Sequence, residues 1–466
     1  MYTPFSKRFD ELIAPDLEVL RSVPEGWYVE YKREVPAPTS IAKSISAFAN
    51  TFGGWLFYGV EEVAKENPVA GTLRGIPKDQ IDAAIQRIRQ SVAENSNPTP
   101  FFEARPIWGP LPSMRLEAEH AIICVRTPSS LNAPHVHKNG VIYRRVADSS
   151  EPKPESDRFV LDQLFRRADG LRTEYATWID DDPEFSKAEG NTVYARLLLV
   201  ADLWKDQEPW LGAPLQEVRG ILGGRDRLLS SVPLDTVHST SYGYVGRQLA
   251  GNNPELLGLT WKLKRTLESE VIVPLPLYTP GHLSVFKHKL RGYANIDRFA
   301  SLLERHAMEA PRIVDLNHLF GVILGIVRTQ RLLLRAARLP GKFYAKVKLL
   351  HVWRTIPFID VVPVLEGFER SGLPMCLESS VLSPPGAQPE SFFELNEHDD
   401  VGEEAVRMIV QSMMIFGHVA LAYGVPSWMD HAGEGELPPY HEELVQAGER
   451  AMNVQRDRVQ EAREKD

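Results

Sequence analysis

Residues 27–33 (WYVEYKR) are rich in aromatic and β-branched side chains and read as a strand. Past them, Ile41, Ile45, Phe48, Ala49 and Phe52 recur at helical spacing, with Thr39 or Ser40 placed to cap the helix. Gly53-Gly54 ends it, because glycine accepts the left-handed conformation that follows a helix. Residues 55–60 (WLFYGV) form a short apolar strand, and Ile81, Ile85, Ile88 and Val92 mark a second amphipathic helix. Strands are predicted near 101–107 and 121–126. Segments 135–138 and 141–146 flank Asn139-Gly140, a strong short hairpin signal. A helix over about 157–168, with Ser156 as its cap, closes this part of the chain. The polar, acidic stretch 173–191 reads as an inter-domain connection. Beyond it the clearest helix covers 316–338, strands are predicted at 344–353 and 357–364, and 441–466 forms a charged helix with few apolar anchors, expected to fray. There is no internal repeat and no low-complexity tract. The pattern predicts an α+β protein: an N-terminal α/β domain over 1–170, then a mixed, largely helical C-terminal region over 171–466.

A chain of 466 residues is long enough for two or three cores. With hydrophobic residues at 43 % and charged ones at 25 %, a soluble globular protein is expected. The two cysteines, Cys124 and Cys376, exclude a disulfide scaffold and a Cys-rich zinc site, and fit a reducing cytoplasm. The first residues lack the apolar core of a signal peptide, and the run 319–327 stops at Arg328, too short for a membrane span, so no membrane partner is expected. The net charge of −9 gives no global attraction to nucleic acid. Residues 1–170 hold 21 Lys+Arg against 22 Asp+Glu, and the remaining 296 hold 32 against 40, so any such binding must come from local patches.

Acidic residues gather near the N-terminus. Glu25 lies in a Pro24-Glu25-Gly26 turn, Glu30 and Lys32 share one face of the following strand, and Glu61 and Glu62 fall just past WLFYGV. If the two strands pair, these carboxylates converge. Such a cluster offers oxygen ligands to Mg²⁺ or Mn²⁺, which would activate water or neutralise a scissile phosphate, with Lys32 as an added phosphate contact. The alternative is that acidic turn and strand-end residues are simply solvated. His135 and His137 alternate along one strand face, either as metal ligands or as solvent-facing turn residues. Asn50 and Thr51 read either as helix-end turn chemistry or as a polar edge beside the carboxylates.

The string Glu30-Tyr31-Lys32, then Ile45-Ser46-Ala47-Phe48-Ala49-Asn50-Thr51, Gly53-Gly54, Gly59-Val60-Glu61-Glu62 and a later Gly71 resembles the Schlafen AlbA-type domain in order and spacing over about 50 residues. Tyr143-Arg144-Arg145-Val146 and the closing helix also fit. The resemblance implies two glutamates five residues apart, here Glu25 and Glu30, and a third acidic ligand, here Glu62 with Glu61 as alternative, where the family carries aspartate. Other relatives are described as DNA-binding regulators or divergent ATP-binding proteins. Residues 220–225 (GILGGR) lack the lysine and hydroxyl of a phosphate-binding loop, so no ATPase motif is present.

The stretch 316–359 contains no acidic residue. Arg328, Arg331, Arg335 and Arg338 share a helix face there, with Phe343, Tyr344 and Trp353 interleaved among Lys342, Lys346, Lys348 and Arg354. This stripe reads either as a phosphate-tracking surface or as a solvated face paired to acidic neighbours. Three functions therefore stand. One is a metal-dependent endonuclease on RNA or single-stranded nucleic acid, using Glu25, Glu30, Glu62 and Lys32. Another is a DNA-binding regulator in which Lys32, Arg33, Arg144 and Arg145 only contact phosphates. The third is an interaction module with inert acidic residues. The C-terminal region would supply recognition, homo-oligomerisation or sensing.

Overall fold

The strand 27–33 pairs with the one at 55–60, and its centre, Val29 to Tyr31, is buried there. In the computed structural model, which describes residues 2–64, 66–146, 151–224, 234–248, 256–308, 310–396, 403–425 and 440–463, the first is β1 (Val29–Lys32) and the second β2 (Gly54–Tyr58). They run parallel, with Glu30 opposite Leu56 and Lys32 opposite Tyr58. A parallel pair needs a crossover, and α1 (Pro38–Ala49) supplies it. The chain continues through β3 (Val60–Ala64), β4 (Asn67–Leu73), β5 (Ile76–Pro77), α2 (Lys78–Asn95), β6 (Ser96–Asn97), β7 (Glu103–Trp108), β8 (His120–Thr127), β9 (Val136–His137), β10 (Tyr143–Arg144), β11 (Lys153–Pro154) and α3 (Arg158–Asp180). The main sheet orders β1-β2-β8-β5, with β7 also on β8.

Both faces of this sheet are covered, so WLFY in β2 and IICV in β8 are continuous apolar runs rather than alternating ones. Leu56, Tyr58, Ile123 and Val125 pack on Ile41, Ile45 and Phe48 of α1 and on Ile81, Ile88 and Val92 of α2. Trp55, Phe57, Ile122 and Cys124 pack on Leu12 and on Leu17 and Leu20 from a 3-10 segment at Ala14–Ser22. The chain divides into Met1–Tyr175 with Trp204–Gln207, and Ala176–Leu203 with Glu208–Asp466.

Several local expectations are corrected. Neither Thr39 nor Ser40 caps α1: the helix starts at Pro38 after Ala37, with no side-chain cap, because proline presets the helical φ and its missing N–H would be orphaned there anyway. Asn139-Gly140 does turn the chain as a tight hairpin, with Gly140 at φ +80, Val136 bridged to Ile142 and the His137 amide donating to Val141 O at 3.0 Å, while the longer pairing of each flank is elsewhere, β9 with β6 and β10 with β11. The helix expected to stop near 168 runs to Asp180, because Leu164, Ala168, Leu171, Tyr175 and Ile179 carry its apolar stripe on through the polar stretch.

The second unit is also α+β. Its elements are β12 (Val193–Val200), α4 (Leu215–Leu222), β13 (Thr236–Ser239), β14 (Gly243–Arg247), β15 (Thr260–Lys264), β16 (Ser269–Leu275), β17 (Leu277–Tyr278), α5 (Leu283–Lys289), α6 (Ile296–Arg305), β18 (Arg312–Asp315), α7 (Leu316–Ala336), β19 (Phe343–Leu350), β20 (Thr355–Phe358), α8 (Val362–Ser371), β21 (Ser380–Ser383), β22 (Phe393–Leu395), α9 (Glu404–Ala422) and α10 (His441–Arg463). An eight-stranded sheet orders β13-β14-β15-β16-β12-β19-β21, with β22 also on β19. Residues 362–364, expected in a strand, begin α8 instead. The terminal helix is not loose: Leu444, Ala447 and Ala451 of α10 are fully buried, and Gly448 meets Gly321 of α7 so closely that a Cβ at Gly448 would lie 3.3 Å from the Gly321 amide nitrogen. Its last positions, 464–466, and Arg225 of the rejected loop motif lie outside the described residues. By length and composition α9 could cross a membrane, yet Gln411, Ser412, Met413, Ile415, Phe416 and Val419 are buried within this unit.

Candidate functional site

Glu30 occupies the β1 position that faces α1, so a carboxylate sits 1 % exposed between sheet and helix. An isolated buried charge there would be very costly, and the surrounding sequence neutralises it. One oxygen accepts from Ser44 Oγ at 3.1 Å and lies 3.0 Å from Lys32 Nζ; the other accepts from Arg145 Nη1 at 2.9 Å. Arg145 is itself fully buried. Its Nε donates to Gly26 O at 3.1 Å, and its guanidinium lies 4.7 Å over the Phe48 ring.

Asn50 and Thr51 set Arg145 in place. Asn50 receives the His135 amide on Oδ1 at 2.7 Å and donates Nδ2 to the carbonyls of His135 and Tyr143 at 2.9 and 3.0 Å. Thr51 Oγ1 accepts the Arg145 amide at 2.9 Å. The Ala-Phe-Ala-Asn-Thr helix end is thus a clasp for the 135–145 segment, a role missed by both turn chemistry and a polar edge.

Glu25 and Glu62 form the second half of the cluster. Glu25 accepts the Tyr31 amide at 2.5 Å. Burial, together with a hydrogen bond and like charge from Glu62, pushes its carboxyl up to about 8, against the pull of the Tyr31 amide and Lys32. Lys32 stands among all three glutamates, and their charge raises its pKa despite burial.

The sequence-predicted residues therefore divide. Glu25, Glu30, Glu62 and Lys32 do come together. Glu61 does not: it turns to Arg74 at 2.8 Å and Arg33 at 3.8 Å, which hold its carboxyl below the usual range. Arg144 pairs with Glu155 at 2.7 Å, and Arg145 is an internal counter-ion rather than a surface phosphate contact. His135 and His137 are buried, contrary to a solvent-facing turn pair. His135 Nδ1 sits 2.7 Å from Pro98 O, His137 Nε2 sits 3.2 Å from Thr39 O, and burial pulls His135 down to about 4. Both rings serve the local packing, and no group of three His, Cys, Asp or Glu is arranged to hold a metal among the described residues. Both Glu30 oxygens already accept from protein donors, and Lys32 and Arg145 meet its charge, so a three-carboxylate Mg²⁺ or Mn²⁺ centre would compete with two cations for it.

The basic stripe of the second unit is broken by packing. Arg331 is 5 % exposed and donates from Nε and Nη2 to Glu404 at 2.9 and 2.8 Å, with Gln411 Oε1 at 3.3 Å from Nη1. Arg335 is exposed and lies 3.5 Å from the same Glu404. Arg328 is half-buried and Arg338, at φ +58, ends the helix on the surface. Lys346 and Lys348 are buried and bond to Ser391 and Asp182. The four arginines do not form one open face, since Glu404 of α9 covers its centre.

Residues 25–154 match the sequence model of the family described as Schlafen, AlbA_2, and the N-terminal unit carries a Schlafen AlbA-type domain. No curated protein matches the chain. Among solved structures, the DIP2311 protein from Corynebacterium diphtheriae is similar at 16 % identity over 42 % of this chain and 29 % of that one, with a TM-score of 0.19, too low to carry an argument about fold.

Proposed function

We propose that the N-terminal unit binds nucleic acid without cleaving it, and that its buried glutamate–arginine–lysine cluster shapes the binding surface rather than a catalytic metal centre. The domain match at 25–154 supports the nucleic-acid part. The commitment of Glu30 to Ser44, Lys32 and Arg145 supports the non-catalytic part, because two cations already meet the charge that a metal would need from the carboxylate at the centre of the cluster. Full-length protein should bind labelled oligonucleotides with an affinity that falls as salt rises. Incubation of the same oligonucleotides with Mg²⁺ or Mn²⁺ should leave them intact.

The closeness of Glu25 to Glu62, whose like charge adds to burial in raising the Glu25 carboxyl, favours a second reading, in which a divalent cation seated between them serves phosphodiester hydrolysis. That reading requires cleavage that stops with chelator and with Glu25→Gln. Such cleavage would replace the first reading with the second.

A further inference from the structure

The turn that opens β1 and the turn that ends α1 bring three aromatic rings together at the surface, and Tyr2 from the N-terminal segment adds a fourth. The centroids of Trp27 and Phe52 lie 5.6 Å apart, those of Phe52 and Tyr28 6.3 Å, and Tyr28 stacks on Tyr2 at 4.9 Å. Phe52 is 48 % exposed and Tyr2 40 %, while Trp27 and Tyr28 are half-buried. Neither Trp27 nor Phe52 belongs to the clusters that cover the two faces of the sheet. Apolar rings left at the surface in a connected row are available to a partner.

A cation stands beside this row. Arg167 of α3 donates from Nη1 to Thr51 O at 3.2 Å and to Ser129 Oγ at 3.3 Å, so its guanidinium sits at the peptide that joins Thr51 to Phe52. It is half-buried, and no carboxylate pairs with it among the described residues. Its charged neighbour is another cation: burial and then Arg144 pull its pKa below the usual guanidinium value. Arg144 is neutralised by Glu155, whereas the acceptors of Arg167 are uncharged and leave it donors to spare. A local excess of positive charge next to exposed rings is complementary to a polyanion that carries flat faces.

We propose that this surface binds single-stranded nucleic acid, with bases stacked on Phe52 and Trp27 and a backbone phosphate on Arg167. The inference rests on the nucleic-acid reading above and narrows it to the strand form. A duplex keeps its base faces stacked on one another and has none to offer the rings, whereas an unpaired strand offers every face.

The test uses the full chain and short fluorescent oligonucleotides: single-stranded DNA, single-stranded RNA and the corresponding duplex, titrated by anisotropy across a salt series. The parent protein should prefer single strands of either sugar. Phe52→Ala should weaken that binding about 5- to 100-fold, and Phe52→Trp should retain it, since stacking on a ring is what each variant removes or keeps. Arg167→Gln should weaken binding across sequences and flatten the log–log salt dependence by about 0.7. Phe52 is exposed, so the parent and both Phe52 variants should share one melting temperature. If the parent binds single strands and Phe52→Ala and Arg167→Gln match it in affinity and slope, this surface is not the site and the general reading survives. A parent that prefers the duplex also overturns the proposal. A parent that binds neither form overturns the proposal and the general reading together.

Discussion

Arg145 and Glu30 meet with almost no solvent on either side, at 0 % and 2 % side-chain exposure. Removing one partner of such a pair leaves the other charge buried, which costs about 3 to 5 kcal/mol. Arg145→Ala should therefore lower the unfolding free energy, read by urea denaturation, by that amount, and Glu30→Gln combined with Arg145→Met should recover much of it, because no lone charge remains. A loss under ~1 kcal/mol for Arg145→Ala would mean that Lys32 alone neutralises Glu30. Glu25 carries a pH signature of opposite kind. Its folded carboxyl titrates at about 8 against an ordinary 4.5, so folding takes up a proton between those values. The stability this proton provides is complete below the unfolded value and is lost as pH rises through the folded one. Melting temperature should fall between about pH 5 and 8 in the parent, and the fall should shrink in Glu25→Gln, which keeps the neutral form throughout. Equal pH profiles for the two proteins would dissociate Glu25 from the effect.

The crossover from α1 into β2 depends on one glycine lacking a side chain. A Cβ at Gly54 would stand 2.3 Å from the Phe48 ring and 2.8 Å from the Tyr28 carbonyl, and the latter is backbone that cannot swing away. Gly54→Ala should cost about 1 to 3 kcal/mol, read by denaturation, through overpacking between helix and strand. An alanine variant as stable as the parent would show that the helix end can slide. The same region shows what sequence reveals and what it hides. Helical period located α1 and α2, and aromatic, β-branched or apolar runs located β1, β2 and β8, because their buried faces are dense in such side chains. The 3-10 segment Ala14–Ser22, which covers half the sheet, has no long apolar period, and its anchors Leu17 and Leu20 stand among Asp16, Glu18 and Arg21. In α10 the anchors are small: Ala447, Ala451 and Gly448 count as weak signals in a sequence, yet small residues are what let two helices close on each other. The gathering of Glu25, Glu30, Glu62 and Lys32 was legible from strand alternation and the family resemblance. The counter-ion was not. Arg145 lies 115 positions from Glu30 and reads as a surface arginine until Asn50 and Thr51 fix the strand that carries it. Arg331 misled in the same way, because its partner Glu404 lies outside the acid-free stretch that made the stripe visible.

At the scale of the whole molecule, net charge opposes a polyanion and local pairing decides where it can be met. The chain carries −9 overall, and of the arginines read as phosphate contacts, Arg33, Arg144, Arg145, Arg331 and Arg335 each have a carboxylate within 4 Å. A polyanion approaching this protein meets a repelling mean field and only local attraction, unlike a protein that presents a broad basic face. Each phosphate neutralised on a single strand contributes about −0.7 to the slope of log affinity against log salt. Two or three contacts centred on Arg167 therefore predict a slope of about −1.4 to −2.1, with the remaining affinity, carried by ring stacking, insensitive to salt. Anisotropy titrations of the full chain from low to physiological salt measure this directly. A slope steeper than about −5 would require seven or more phosphate contacts. That many contacts would need a broad basic surface rather than one patch, and the local-patch account of binding would fail.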